Sequence, residues 1–459
     1  MGIFGRLSQN NVLSFRRLSI DKTPFELFSE IYTEYDHAFI LESLTGPREM
    51  SEMSVIGFDP SLVVSCDASR FTVRDRDGHT DEYEITEPMQ QLRALVPRVG
   101  EQGFRYVGGA VGYVSYDAIR YWENLPLPAK KRPGGYPYME FGIYTDGILF
   151  NHKENQVYYF YLEKPRIDEL RLGDLQEDSF EYAEPVRNID QSSFTNMVEK
   201  AKNYIYDGDI YQVVLSKRFN FDLKGSLIRV YDRLREVNPS PYKYFLKMGG
   251  RRAVIGSSPE MLIRVSSGNV ETFPIAGTRP IVGDKIKNVR LREEMLRDEK
   301  ELAEHTMLVD LARNDIGRVC RWGTVRVDEL MAVKEFSHVQ HIVSHVNGEL
   351  QKACDCYDAF RAVFPAGTVS GAPKVRAMEI IDELEPDARG PYAGALGYFS
   401  FNGSCDFAIT IRSMFVDENK AYLQAGAGIV ADSVPENEWM ETEHKANALT
   451  EALKRASQR

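Results

Sequence analysis

Cysteine is scarce in this chain: five in 459 residues, at Cys66, Cys320, Cys354, Cys356 and Cys405. The odd count and the scatter exclude a disulfide framework and fit a reducing compartment. Cys354 and Cys356 lack the second pair that a structural zinc site needs. No apolar run reaches about 18 residues, so nothing reads as a membrane-spanning helix, and no export signal is read at the N-terminus. A cytoplasmic location is the expectation. Positive charge is also short: 56 Lys and Arg against 68 Asp and Glu, a net charge of -12. That balance argues against nucleic acid or an anionic membrane as the main partner. An anionic substrate would need a local Arg, a Lys or a metal. There is no repeat at solenoid spacing.

What is present suits a large, β-rich core. Hydrophobic residues make up 43% of the chain, with 24 Tyr and 24 Phe. The length allows two or three domains. The first ten residues read as a loose start. Thr23-Pro24 reads as N-cap and first turn of a helix to about Tyr35. Short strands and turns follow, with Asp77-Gly78 as a hairpin signal. Phe141–Phe150 and Phe407–Phe415 each read as one strand, and Phe336–Leu350 as another. Arg166–Gln191 is charged and poor in large apolar residues, so the main boundary is placed there. The Pro126–Pro137 loop is the second choice. The resulting division is 1–165, a linker over 166–191, and 192–459. Strands joined mostly by turns, with helices between groups, predict an α+β fold, mainly antiparallel and not doubly wound.

Two stretches carry paired carboxylates. Asp298–Asp315 reads as a helix without Pro or Gly, and it sets Glu301 and Glu304 on one face, with His305 adjoining. Far downstream, Glu438 and Glu441 repeat that spacing, with Lys445 one turn on. Such pairs are common on solvated helix faces. If the two helices met, four carboxylates would repel one another, and a divalent cation would relieve this; oxygen-only ligands suit Mg²⁺. Glu441-x-x-His444 also has the spacing of a di-iron bundle site, but the β-rich pattern here argues against four packed helices.

Other motifs are read against plainer alternatives. PIAGTRP (Pro274–Pro280) reads as a tight Gly-Thr turn beside Arg279, whose amides could meet a carboxylate. Gly367–Lys374 is no phosphate loop, because Ala372-Pro373 intervenes before Lys374. Gly426-x-Gly428-x-x-Ala431 imitates a dinucleotide fingerprint, but no helix can open at Asp432-Ser433-Val434-Pro435. Its glycines would instead let amides approach a ligand oxygen. Arg412 could pair with a carboxylate. Glu260, just after a strand, could be a general acid if pocketed. His338, His341 and His345 offer imidazoles; a structural role is the plainer reading for each.

PIAGTRP, DEKELAEH, VDLARNDIGRV, FPAGTVSGAPK, RGPYAGALGYFS, AITIRS, AGAGIV and ENEWMET occur in one order. Together they resemble the chorismate-utilising enzymes: anthranilate synthase large subunits, aminodeoxychorismate synthases, and isochorismate or salicylate synthases. The resemblance covers roughly Ser192–Leu453 and is weaker before it. It implies a β-sandwich core with outer helices, chorismate as substrate and Mg²⁺ as cofactor. It implies Glu304 and Glu441 as Mg²⁺ ligands, with Glu301 and Glu438 holding its waters. Gly277 and Thr278 would meet the ring carboxylate. Tyr392, Arg412, Gly426 and Gly428 would meet the enolpyruvyl carboxylate. Glu260 would protonate the departing 4-hydroxyl and His341 would assist the later proton abstraction, with Thr368 and Lys445 in support.

Water-using relatives resemble one another in a Lys where this chain has Gln212, and Ala276 stands where aminodeoxychorismate synthases often carry a nucleophilic Lys. The resemblance is therefore nearest the anthranilate-forming branch. Aminodeoxychorismate formation and a non-catalytic chorismate-binding relative are the alternatives. Glu42, Ser43, Pro241, Tyr242, Lys243 and Tyr398 would form a tryptophan feedback site. Lys243 replaces the usual Met, the segment after Ser43 departs from the family pattern, and His444 replaces a common Asn. No Cys-His-Glu amidotransferase module is found, so glutamine use implies a separate small subunit and a hetero-oligomer.

Overall fold

The computed structural model describes residues 12–43, 53–125, 130, 132–162, 164–174, 179–335 and 339–458. The loose first ten residues, the segment directly after Ser43, His338 and parts of the 126–137 and 166–191 segments lie outside them.

Local sequence explains the helix starts. Thr23 and Glu26 form a reciprocal capping box, Pro24 takes the first helical position, and the helix runs Pro24–Glu34. Asp298 caps the helix Glu299–Gly317 by accepting from the Lys300 and Glu301 amides at 3.1 and 3.2 Å. The last helix, Pro435–Ser457, opens on Pro435 with Glu436 and Glu438 in its first turn and closes on Lys454 and Arg455. That charge order complements the helix dipole.

The strands form two antiparallel sheets, of 13 and 12 strands. The α+β sandwich expected from the sequence is what the chain builds. Both sheets draw strands from both sides of the 166–191 segment. His37–Glu42 pairs with Tyr242–Met248 in the larger sheet, and Gly109–Val114 pairs with Ala395–Ser400 in the smaller. One core joins the two sheets: Phe39, Tyr244 and Phe415 of the larger pack with Phe141, Phe399 and Phe407 of the smaller. A second core lies under the helices Pro24–Glu34, Leu227–Val237 and Pro435–Ser457. Alternation drives this burial, as in Leu62–Asp67, where Leu62, Val64 and Cys66 are buried.

Two segments expected as single strands are broken. Phe141–Phe150 splits at Thr145 into Met139–Tyr144 of the smaller sheet and Asp146–Asn151 of the larger. Phe407–Phe415 splits into Cys405–Ile409 of the smaller sheet and Ser413–Asp417 of the larger. In both, the chain leaves one sheet and enters the other, and a continuous apolar run hides the corner because both arms are buried. Ala253–Ser258 and Met261–Ser266 make the same crossing at Pro259-Glu260. PIAGTRP is also not a turn. Ile275–Pro280 is a strand paired with Val339–Glu349, bulged at Gly277 with φ of 64°.

A buried ion pair ties these parts together. Arg389 is 1% exposed. It donates to both Glu385 oxygens at 2.6 and 2.9 Å and to the Val369 and Val214 carbonyls at 2.7 Å each. Arg389→Met leaves a buried carboxylate without its cation and should cost about 3–5 kcal/mol. Urea unfolding checks this; an unchanged midpoint would show that the pair contributes nothing.

Candidate active site

At one end of the sandwich a cavity of about 780 Å³ opens between the sheets and the helices Glu299–Gly317 and Pro435–Ser457. This size lies within the roughly 300–1,000 Å³ typical of small-molecule sites. Its wall includes every residue named from the sequence for catalysis, substrate and metal: Glu260, His341, Thr368, Lys445, Gly277, Thr278, Tyr392, Arg412, Gly426, Gly428, Glu304, Glu441, Glu301 and Glu438.

The two helices contribute the carboxylates. Burial raises the Glu304 carboxyl above its ordinary value, the Gln212 amide 3.3 Å away lowers it, and Glu301 and Glu441 raise it further. Burial likewise raises Glu438, with Glu441 adding to the effect. Mutual repulsion among these groups is therefore real. Cations temper it: Arg279 lies 3.1 Å from Glu301 and Lys445 lies 2.6 Å from Glu441. Lys300 faces both Glu304 and Glu438. The carboxylate oxygens do not form one tight knot. Among the described residues, only Asp75, Asp77 and His79, at the hairpin turn, bring donor atoms all within 4.8 Å.

Glu260 occupies the corner between the two sheets. Burial pushes its carboxyl up to about 7, against the pull of the Thr368 hydroxyl and then the Lys445 ammonium. Its residual exposure is to the cavity, since protein encloses it. Arg412 occupies the partner corner in the left-handed region, φ 53°, which is uncommon for a bulky residue. It donates to the Lys445 carbonyl at 2.8 Å. Burial lowers its pKa most, with Tyr392 and Glu441 opposing.

The bulged strand supplies the opposite wall. His341 donates from Nδ1 to the Gly277 carbonyl at 2.8 Å, with the Thr278 hydroxyl 3.1 Å away. Burial holds the imidazole below its ordinary value, so it is neutral at pH 7, and Nδ1 donation leaves the lone pair on Nε2. A side chain at Gly277 would meet Glu301 Oε2 at 3.1 Å, so glycine permits both the backbone turn and the carboxylate's approach. At Gly428 a Cβ would fall 2.6 Å from the Gln212 amide. Lys445 Nζ also donates to the Gly426 carbonyl at 3.0 Å, tying the last helix to that strand.

Several candidates stay out of the cavity. His305 is fully buried and bonds Ser344 at 2.7 Å; burial pushes it down to about 4. His345 stacks on Phe273 at 4.4 Å and bonds Glu271 at 3.2 Å. Lys300 and Gln424 line the cavity and were not singled out. Lys300 was findable, being one helical turn before Glu304.

A second cavity, of about 50 Å³, is lined by Glu42, Ser43, Tyr242, Lys243, Tyr398, Arg105 and Asp406 among others. Pro241 is buried beside it and is not in its wall. Glu42 is held by Arg235 at 2.8 and 3.1 Å and by the Tyr231 hydroxyl at 2.7 Å. Lys243 is 5% exposed, and burial lowers its pKa.

The profile of the chorismate binding enzyme family matches residues 36–451. The chain is 47% identical over 439 residues to anthranilate synthase component 1 of Methanothermobacter thermautotrophicus, covering 95% of this chain and 93% of that protein. The crystal structure of anthranilate synthase component I from Streptococcus pneumoniae matches with a TM-score of 0.77 and 36% identity, covering 87% of this chain and 92% of that one. The menaquinone-specific isochorismate synthase of Escherichia coli shares the fold, with a TM-score of 0.73 at 20% identity over 98% and 95% of the chains. No helix among the described residues is long and apolar enough to cross a membrane.

The raised Glu260 value has a stability consequence. Its folded-state value, about 7, lies above the ordinary 4.5. The favourable contribution of the bound proton is therefore complete below about pH 4.5 and is lost as pH rises through 7. Glu260→Gln should be more stable than the parent at pH 8 by about 1–3 kcal/mol and nearly equal to it at pH 5. Urea midpoints at the two pH values check this; a difference independent of pH would refute the shift.

Proposed function

The chain belongs to the chorismate binding enzyme family, and from that premise we propose that it is the chorismate-consuming subunit of an anthranilate synthase. The observation that best supports this is the meeting of four carboxylates, Glu260, His341 and Arg412 around one cavity. A protein of net charge -12 that binds a dianion must supply positive charge locally. Arg412 and the Gly426 and Gly428 amides do so for one carboxylate, with Tyr392 beside them. The other carboxylate would lie by Gly277 and Thr278, near Glu304.

The donor set fits Mg²⁺. All four side chains offer oxygen, and their raised pKa values record repulsion that a cation would relieve. Their spread suits an ion that keeps several waters and takes only one or two carboxylates directly. Glu304 and Glu441 would hold it, with Glu301 and Glu438 toward its waters. When bound, it supplies charge neutralisation and Lewis-acid polarisation at the ring carboxylate.

Ammonia adds at C2, the ring double bonds shift, and the C4–O bond breaks. Glu260, protonated near neutral pH, gives its proton to the departing hydroxyl, which leaves as water. Thr368 and Lys445 orient Glu260 and the last helix. The C2 proton is then removed with assistance from Nε2 of His341. The enolpyruvyl C–O bond breaks, the ring becomes aromatic, and enolpyruvate takes up a proton to become pyruvate. Gln212 and Ala276 line the cavity and offer no amine, which favours ammonia at C2 over water or a covalent lysine adduct.

Glutamine would be hydrolysed elsewhere. Burial pushes Cys66 and Cys320 up to about 11 and raises Cys405 too, the reverse of an activated thiol. We assign that step to a separate glutamine amidotransferase subunit. The site residues just described fall in 192–459, and we read 1–165 as the part that completes the sheets and half of the second cavity. We further assign that cavity to tryptophan as feedback inhibitor, with Lys243 weakening it.

Incubating the chain with chorismate, Mg²⁺ and ammonium at alkaline pH should yield anthranilate and pyruvate in equal amounts. Aminodeoxychorismate without pyruvate would assign the chain to C4 amination instead. Glu304→Gln should lower turnover by about 100-fold or more and weaken Mg²⁺ binding measured calorimetrically; unchanged binding would remove Glu304 from the metal site. Lys243→Met should lower the tryptophan concentration for half-inhibition severalfold. No inhibition in either form would end the effector reading.

A further inference from the structure

Exposed large apolar side chains are mostly scattered over this molecule, but one group converges from three chain segments. Tyr206 and Tyr211 are 67% and 73% exposed, Val375 is 43% and Val434 is 49%. Tyr206 ends the helix Gln191–Tyr206, and its hydroxyl reaches the Ala431 carbonyl at 3.2 Å. Tyr211 donates its amide to the Ala372 carbonyl at 2.7 Å, next to exposed Pro373. Arg376 grips Asp209 at 2.6 and 3.0 Å, fixing the turn between the tyrosines against the helix that carries Val375. Lys202 donates to the Ser433 carbonyl at 2.7 Å, holding the loop that presents Val434. Isolated exposed apolar residues need no explanation, whereas a contiguous, rigid set does.

Position gives this set its meaning. Tyr211 directly precedes Gln212, and Val434 directly follows Ser433; both neighbours line the large cavity. Gln212 is 4% exposed, and its Oε1 has no hydrogen-bond partner although Nε2 reaches Glu304. An unmet acceptor in the cavity wall, backed by an apolar outer surface, is where a small N–H donor would be received. Ammonia is such a donor, and it is lost to solvent unless its source sits against the wall it must pass.

We propose that Tyr206, Tyr211, Val375 and Val434 form the centre of the docking surface for the ammonia-supplying amidotransferase subunit. The proposal rests on the anthranilate synthase reading. A standard interface buries roughly 800 Å² per partner, with an aromatic and aliphatic centre and a polar rim. Here the rim is acidic: Asp207, Asp432 and Glu436 are exposed around the apolar four. The partner's facing surface is therefore apolar at its centre and basic at its margin. The surface is held by hydrogen bonds and an ion pair before any partner arrives, so little ordering is needed on docking.

The test uses the full chain and its own tagged amidotransferase subunit. Tyr211→Asp and Val375→Asp are compared with the parent and with Trp322→Asp, which alters a 99% exposed side chain outside the patch. Anthranilate is measured from ammonium and, separately, from glutamine plus the subunit. The patch variants should keep the ammonium rate within about two-fold, while the glutamine rate and capture by the subunit fall about 30-fold. Trp322→Asp should change neither. Retained glutamine rate and capture in the patch variants would overturn the docking surface. So would loss of the ammonium rate, which would make the patch part of the fold or site. Absence of anthranilate from ammonium in the parent would instead overturn the functional reading itself.

Discussion

Two corners of the chain, hydrogen-bonded to each other, hold the site in place. At Ser258–Met261 and at Ile409–Ser413 the backbone leaves one sheet and enters the other. The Ile409 amide donates to the Glu260 carbonyl at 3.0 Å, the Ser258 hydroxyl to the Ile409 carbonyl at 2.7 Å, and the Ser257 amide to the Arg412 carbonyl at 3.2 Å. An acid and a guanidinium are thus fixed by main-chain bonds at the mouth between two sheets. Neither depends on a loop. Rigid placement of this kind is what a preorganised site requires. The backbone strain at Arg412 is tolerated because both flanking strands are buried and paired.

Charge sets the second constraint. Four carboxylates on two helices would drive those helices apart in a low-dielectric cleft. Arg279, Lys300 and Lys445 offset part of this, each from a different direction. The remainder appears as raised carboxyl values at Glu304 and Glu438. The last helix is also held from behind. Lys217, fully buried, sits over the Trp439 ring and pairs with Glu443 at 2.6 Å, and Glu443 accepts from Arg187 at 2.7 and 2.8 Å. Anchorage on the far face allows the near face to present unneutralised acid to the cavity.

Much of this arrangement was legible in the chain. Paired Glu at helical spacing, a Glu after a strand and glycines on a buried strand each pointed to residues that line the large cavity. The antiparallel α+β architecture followed from turn chemistry and the scarcity of βαβ patterns. Corners were not legible. Phe141–Phe150 and Phe407–Phe415 are apolar on both sides of the break, so periodicity carries no mark of the change of sheet. PIAGTRP read as a turn because Gly-Thr between prolines is turn chemistry, yet pairing with Val339–Glu349 absorbs its glycine as a bulge. His305 looked like a site residue from its neighbours; its position on the helix instead turns it toward Ser344 and the core. Lys300 passed unnoticed because a lysine among glutamates on a helix reads as solvated surface.

The two cavities share this same scaffold. Tyr242, in the wall of the smaller cavity, is paired in register with Ser258, one residue before the corner at Pro259-Glu260. Tyr398 and Asp406 face each other across strands whose continuation is Ile409, the residue bonded to Glu260. Asn238, at the end of the helix that carries Arg235, donates to the Ser257 carbonyl at 3.0 Å. A ligand that widened the gap between Tyr242 and Tyr398 would therefore load the backbone that holds Glu260 and Arg412, with no intervening hinge. Close-packed sheets transmit such displacement because they have no slack to absorb it. The coupling path is short, covalent along two strands and hydrogen-bonded at the corners, so the constraint that positions the acid is also the one through which a distant ligand could act on it.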